Sequence, residues 1–243
     1  MTKSRDQEKT ATSLPGLKPA AAVTPEIAAF LADLKRVQPA LATGRRGRLI
    51  FAMDATMSRQ PTWDLALSLQ AEMFKAVDRT GGLSVQLAYF RGMGEARTSR
   101  WTDEAGELAR LMTTVSCRGG ATQIGRMLEH ARDEHARMPV NAFVFVGDAM
   151  EEPIDRLCAT AGEMGLRHLP AFMFQEGTSR SVETAFREIA RLSGGAHAAF
   201  GQGSADELRA LLAAVAVYAS GGLAALTGRP GVGAQKLIEQ LKP

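Results

Sequence analysis

The chain has 243 residues, of which 45% are hydrophobic and 23% charged, and a formal net charge of +3. That length buries a sizeable core without cross-links, and the composition excludes wholesale disorder. Two cysteines with no CxxC pair exclude a disulfide scaffold and a cysteine-rich zinc module, and four histidines with no HExxH leave little room for a zinc hydrolase.

In chain order, residues 1–23 mix charge, Ser, Thr, Pro15 and Pro19 without a period and read as a disordered basic tail. Residues 1–48 hold nine Lys/Arg against four Asp/Glu, so the basic balance belongs to this leading segment and the body is nearly neutral. A nucleic-acid binder carries its basic stripe on the folded body, so no specific nucleic-acid partner is expected. The polar start MTKSRDQEKT has no apolar stretch behind it, which points to the cytoplasm. Thr24-Pro25 signals a helix start, and a short helix is expected from about Pro25 to Val37. With Gly44-Arg45-Arg46-Gly47 after it, residues 24–47 read as an N-terminal helix and linker.

From residue 48 to 220 strand and helix signals alternate. Leu49 to Met53 is a continuous apolar run ending in Asp54, as suits a strand buried on both faces. Pro61 opens a helix with Trp63, Ala66, Leu67, Met73, Phe74 and Val77 near a 3.6 period, stopped by Gly81-Gly82. Ser84–Phe90 and the polar segment Ala96–Trp101, joined through Arg91-Gly92-Met93-Gly94, predict a hairpin with an exposed edge strand. Thr102 is expected to cap a helix reaching Met112, and Thr122 to start one reaching about Arg137. Asn141–Val146 predicts a second buried strand, ending at Gly147-Asp148. Helices over Pro153–Met164 and Ser179–Leu192 flank a strand at His168–Phe174, and Ala196–Phe200 is a short last strand. Ser204 with Glu207 reads as a capping box for a helix to Ala219. Nineteen uncharged residues, Ala210–Gly228, nearly match a membrane span in length. Seven are alanine, and Gly221-Gly222 reads as a helix stop, so no membrane span is expected. Residues 221–243 then form a C-terminal tail with a loose amphipathic helix at Val232–Leu241. The pattern predicts an α/β, Rossmann-like, doubly wound and mostly parallel sheet with one antiparallel edge strand and helices on both faces.

In open sheets of this kind, ligands sit beyond the carboxyl ends of the strands. Asp54, Thr56 and Ser58 follow the first strand, Thr122 stands at a helix start, and Asp148 follows the second central strand. Residues two apart on an extended turn face one side, so Asp54, Thr56 and Ser58 can share a centre while Ala55 and Met57 turn away. The set is all hard oxygen, which suits Mg²⁺, Mn²⁺ or Ca²⁺. Two close aspartates also call for a cation between them. Gly119-Gly120 is expected to let the second loop approach the site.

The segments DATMS, GGATQIG and VGDAM, in this order, resemble the von Willebrand factor A (VWA) domain and its metal-ion-dependent adhesion site. The resemblance covers about Arg48 to Ala219. It implies a metal set of Asp54, Thr56, Ser58, Thr122 and Asp148. It also implies a role as a non-enzymatic interaction module, whose ion meets an exposed Asp or Glu of a protein partner, in some members within a larger or ATP-driven assembly. Thr56 departs from the family's serine and its methyl narrows the site. Gly147 and Ala149 stand where many members have threonine and glycine.

Other readings of the same residues are plainer. Asp54 and Thr122 each suit a helix N-cap. Glu151-Glu152 could extend the acidic rim but suit the first turn of the following helix; Gln175-Glu176 end a strand and could line the site but suit ordinary turn residues; Arg118 could meet an acidic partner but suits a solvated position. His130 and His135, five apart on a helix, do not share a metal easily, and Cys117 and Cys158 read as small hydrophobes. A metal-dependent phosphohydrolase with Asp54 as nucleophile is the enzymatic alternative. Against it, Thr56 stands where a second aspartate is wanted, and no lysine lies between Lys75 and Lys236. A structural VWA domain with a degenerate site is the third.

Overall fold

The structure, a computed structural model, describes residues 46–77, 82–229 and 231–241. The tail at 1–23 and the helix expected at 25–37 lie outside these residues.

The described chain opens with strand β1 (Gly47–Asp54) and a single 3-10 turn (Met57–Arg59), followed by helix α1 (Gln60–Val77). The hairpin β2 (Leu83–Arg91) and β3 (Glu95–Thr102) comes next, then α2 (Ala105–Thr113) and α3 (Ile124–Arg137). The units β4 (Ala142–Gly147), α4 (Ile154–Leu166), β5 (Ala171–Glu176), α5 (Arg180–Ser193) and β6 (Ala196–Phe200) continue the alternation. Two helices, α6 (Ala205–Thr227) and α7 (Val232–Leu241), close the chain. The six strands form one sheet in the order β3-β2-β1-β4-β5-β6. All neighbours are parallel except β2 and β3, which pair antiparallel. This is the α/β fold the alternation predicts.

The apolar runs are explained by helices on both faces. Leu49, Phe51 and Met53 of β1 pack with Val144 and Val146 of β4 against α1, α2 and α6. Ile50 and Ala52 join Phe143 and Phe145 on the opposite face, under α3, α4 and α5. Every residue of β4 and β5 is buried, so neither strand shows the alternation of a half-exposed sheet. β3 is the exception, with Arg97, Thr98 and Arg100 exposed, as its polar sequence requires of an edge.

Helix α6 is long and apolar enough by composition to cross a membrane. Here Leu208, Leu211, Leu212, Val215, Ala216 and Ala219 are buried in the core beside α1 and the sheet. Its helical geometry breaks at Gly222 (φ 67°, ψ −165°), a left-handed conformation that only glycine adopts without strain. The helix therefore resumes past the glycine pair that was expected to stop it. Leu226, Ala234 and Leu237 belong to the same core, so α7 is a packed helix and not a loose one.

Several local expectations need correction. Thr102 closes β3, and α2 begins at Ala105; the threonine hydroxyl instead donates to the Glu107 carboxylate at 3.0 Å. Ser204 and Glu207 form no capping box, because Glu207 reaches back to the amide of Gly201 (2.8 Å). His168 does not open β5. It takes a left-handed conformation (φ 58°) in the turn that ends α4, and β5 runs two residues beyond Phe174.

Candidate functional site

β1 sits between β2 and β4, with the next strand in sequence, β2, on one side and β4 and its successors on the other. The strand order therefore reverses at the β1–β4 boundary. Helices leave it on opposite faces, which opens a crevice at the carboxyl ends of the two strands. Asp54 is the last residue of β1, and Asp148 directly follows β4. The field of the Asp148 carboxylate acts on Asp54.

The turn after β1 is built by its own side chains. Ala55 is buried, and its amide continues the ladder to the Phe90 carbonyl at 2.9 Å. Asp54 is only 2% exposed, and its Oδ1 accepts the Thr56 amide at 2.7 Å. Burial raises its carboxyl above the ordinary range, and the Thr56 bonds oppose that rise. The Thr56 and Ser58 hydroxyl oxygens lie 3.5 Å apart, while Met57 is exposed. Three of the five expected oxygen donors thus belong to a single short turn.

The second loop, 114–123, is pinned from three directions. Arg118 donates its amide to the Ala55 carbonyl at 3.0 Å, tying this loop to the β1 turn. Arg91 holds the Ser116 carbonyl at 2.8 Å. Gly120 packs so tightly that a Cβ there would lie 2.1 Å from the Gly92 carbonyl oxygen. Its closeness is to the β2–β3 turn, not to the carboxylates, and needs no positive φ. Thr122 is buried and exchanges two bonds with Glu151: its Oγ1 accepts the Glu151 amide at 3.0 Å, and its amide donates to the Glu151 carboxylate at 2.9 Å. The residue before α3 is Gln123, so Thr122 is not its cap. The free amides of Ile124 and Gly125 go instead to the Glu152 carboxylate at 2.5 and 2.9 Å. Glu151 and Glu152 therefore serve the start of α3, not the first turn of α4 as their sequence position suggested. A carboxylate there suits the positive end of the helix dipole.

The third corner carries a group that motif spacing did not announce. Arg59, 7% exposed, directly follows Ser58, and its Nη2 lies 2.9 Å from Asp148 Oδ2. Its Nη1 donates to Glu176, the last residue of β5, which also accepts the Thr62 hydroxyl. Glu176 and Gln175 are buried strand residues, not a turn. Burial raises the Asp148 carboxyl, and the Arg59 charge opposes it. The Arg59 Nε has no partner.

The donor chemistry fits a hard divalent cation at one half of the site and meets a competitor at the other. Asp54 accepts the Thr56 amide through Oδ1, and Thr56 and Ser58 add neutral oxygens in the same turn. Asp148 is the carboxylate a cation would share with Arg59. Among the described residues, no three His, Cys, Asp or Glu side chains cluster as a metal cage. Cavities of about 310 and 210 Å³ lie elsewhere, and none of Asp54, Thr56, Ser58, Thr122 or Asp148 lines them. His130 is bound to Gln86 at 2.8 Å and His135 to the Val140 backbone, so each has a structural partner. Cys117 packs half-buried on the core, its thiol pushed up to about 11 by burial, with the Asp54 and Asp64 charges adding to it.

The fold is that of a von Willebrand factor A domain, as the three sequence segments implied. The VWA domain of SpRpn10 superposes with a TM-score of 0.52 at 11% identity, covering 65% of this chain and 89% of that one. An aerotolerance-related membrane protein from Bacteroides fragilis gives 0.51 at 17% identity, covering 67% and 94%. Proximal thread matrix protein 1 from the mussel byssus, with a zinc-occupied adhesion-site motif, gives 0.58 at 17% identity; the match covers 75% of this chain and 46% of that one. No family model and no curated protein matches the chain.

Proposed function

We propose that the chain is a protein-interaction module, not an enzyme, and that the rim formed by Asp54, Thr56, Ser58, Thr122 and Asp148 holds a divalent cation. The observation that carries this reading is the turn after β1. It sets one buried carboxylate and two hydroxyls side by side at the reversal of strand order, within the field of Asp148. Bound there, Mg²⁺, Mn²⁺ or Ca²⁺ would supply a Lewis-acidic point for an Asp or Glu side chain of a partner protein. The zinc-occupied motif of the byssus protein supports a divalent ion on this fold. Exposed Met57, inside the motif, offers apolar contact area beside the ion. The cytoplasm, and a larger assembly there, remain part of the proposal.

The Arg59–Asp148 pair favours a second reading, a VWA fold whose rim works without metal. Thermal unfolding separates the two. An ion that binds only the folded chain at a hundred times its Kd stabilises it by about 2.7 kcal/mol, or a rise in Tm of roughly 5–10 °C. We expect a rise of that kind with Mn²⁺ in the wild type and none in Asp54→Ala, with partner capture from lysate lost in EDTA. A wild-type Tm indifferent to Mn²⁺ and Mg²⁺ would leave the metal-free reading standing.

A further inference from the structure

We propose that Arg59 is the rim's built-in cation, bridging Asp148 and Glu176 so that a divalent ion reaches Asp148 only by displacing the guanidinium. The inference deepens the metal reading and rests on it. The 3-10 turn Met57–Arg59 places Arg59 immediately after the last hydroxyl of the motif, and its side chain is buried against the acidic corner. A planar guanidinium can address two carboxylates at once, and here it does: Asp148 at 2.9 Å through Nη2 and Glu176 through Nη1.

The two arms differ. Glu176, with its side chain 4% exposed, is held additionally by the Thr62 hydroxyl and, more weakly, by the Gly203 amide at 3.4 Å. Asp148 is 29% exposed at the side chain, so water competes for its arm of the bridge. The Asp148 arm is therefore the one that opens, while Glu176 keeps Arg59 anchored. Arg59 faces two carboxylates at once, and the Asp148 and Arg59 charges are both felt at Asp54, so one guanidinium does not neutralise the rim. A dication entering between Asp54 and Asp148 takes over the neutralisation Arg59 provides at Asp148. Arg59 sets the ion concentration at which the rim changes from a paired acidic surface to a metal-bearing one.

The test is Mn²⁺ binding by the full chain, followed by the loss of the free-ion paramagnetic resonance signal and by calorimetry. The double variant Arg59→Gln/Glu176→Gln removes the bridging arm with its buried anchor and leaves the formal charge of the corner unchanged. The variant also removes the positive charge nearest Asp148, so Arg59→Lys, which keeps that charge, separates the freeing of Asp148 from an altered field. We expect binding about tenfold tighter than wild type, the equivalent of one modest ion pair. Arg59→Lys keeps the charge and the burial but cannot span both carboxylates, and should fall between the two. Equal affinities in all three chains would overturn the competition while leaving the metal reading intact. Absence of Mn²⁺ binding in every chain would overturn both.

Discussion

His197, on β6, shows how a single buried side chain contributes to the acid response of this fold. It is 5% exposed, and its Nε2 lies 3.1 Å from Gln175 Oε1. Gln175 spends its own amide group on the Ser179 carbonyl, so its oxygen faces the ring and His197 carries its proton on Nε2. A second proton has to enter a buried site near Arg187, and burial above all lowers the pKa to about 4. The unfolded chain takes that proton near 6.5, so between 6.5 and about 4 it binds more protons than the folded one. The stability contributed is complete above 6.5 and is lost as the pH falls through this window. At about 1.4 kcal/mol per pH unit, urea unfolding near pH 5 should show the wild type losing roughly 2 kcal/mol more than His197→Gln, relative to about pH 7. Equal losses in the two chains would remove His197 as the cause.

At the same scale, sequence and structure part company at Arg59 and Glu176. Both are polar residues at the borders of elements, where a solvated turn is the ordinary expectation. They are buried because they neutralise each other across 117 positions of chain. No local pattern carries that pairing. Asp54, Thr56 and Ser58 were legible because the chemistry of their contacts is contained in five consecutive residues.

Elements were legible to the degree that one environment acts along their whole length. β1, β4 and β5 are apolar throughout because helices cover both faces, and the polar run of β3 marks it as an edge. Helix starts were harder to read, because caps here come from other segments: Glu152 serves α3 from 27 and 28 residues away. The 114–123 loop shows how strictly such a borrowed arrangement constrains the chain. In Gly120→Ala the new methyl meets backbone, the Gly92 carbonyl, and one of the two loops must yield. We expect a loss of about 1–3 kcal/mol. The Tm should fall by roughly 2–4 °C per kcal/mol, and exchange protection at the Thr122 and Glu151 amides should weaken with it. A variant with unchanged Tm would mean that the loop accommodates the methyl freely.

Over the whole molecule, the sheet has two edges to manage. β3 presents exposed arginines. β6 is closed by a side chain: Gln240 of α7 accepts the His197 amide at 2.9 Å and donates to the His197 carbonyl at 2.6 Å, occupying both groups as a further strand would. Removing that cover in Gln240→Ala should cost about 1–2 kcal/mol and speed hydrogen exchange at His197, measured by amide exchange mass spectrometry. Unchanged exchange at His197 would show that Gln240 does not guard the edge.

The pairing of β1 with β4 has a consequence in time. Leu49 finds its partner Ala142 only after 93 further residues have been added. At ribosomal speeds of about 5–20 residues per second, β1 waits roughly 5–20 s with its β4 edge unpaired. The hairpin can cover one side of it in that interval; the native partner of the other side has not yet been made. A chaperone that recognises short aliphatic segments therefore has a defined client window here, opening as β1 leaves the exit tunnel and closing when β4 follows it.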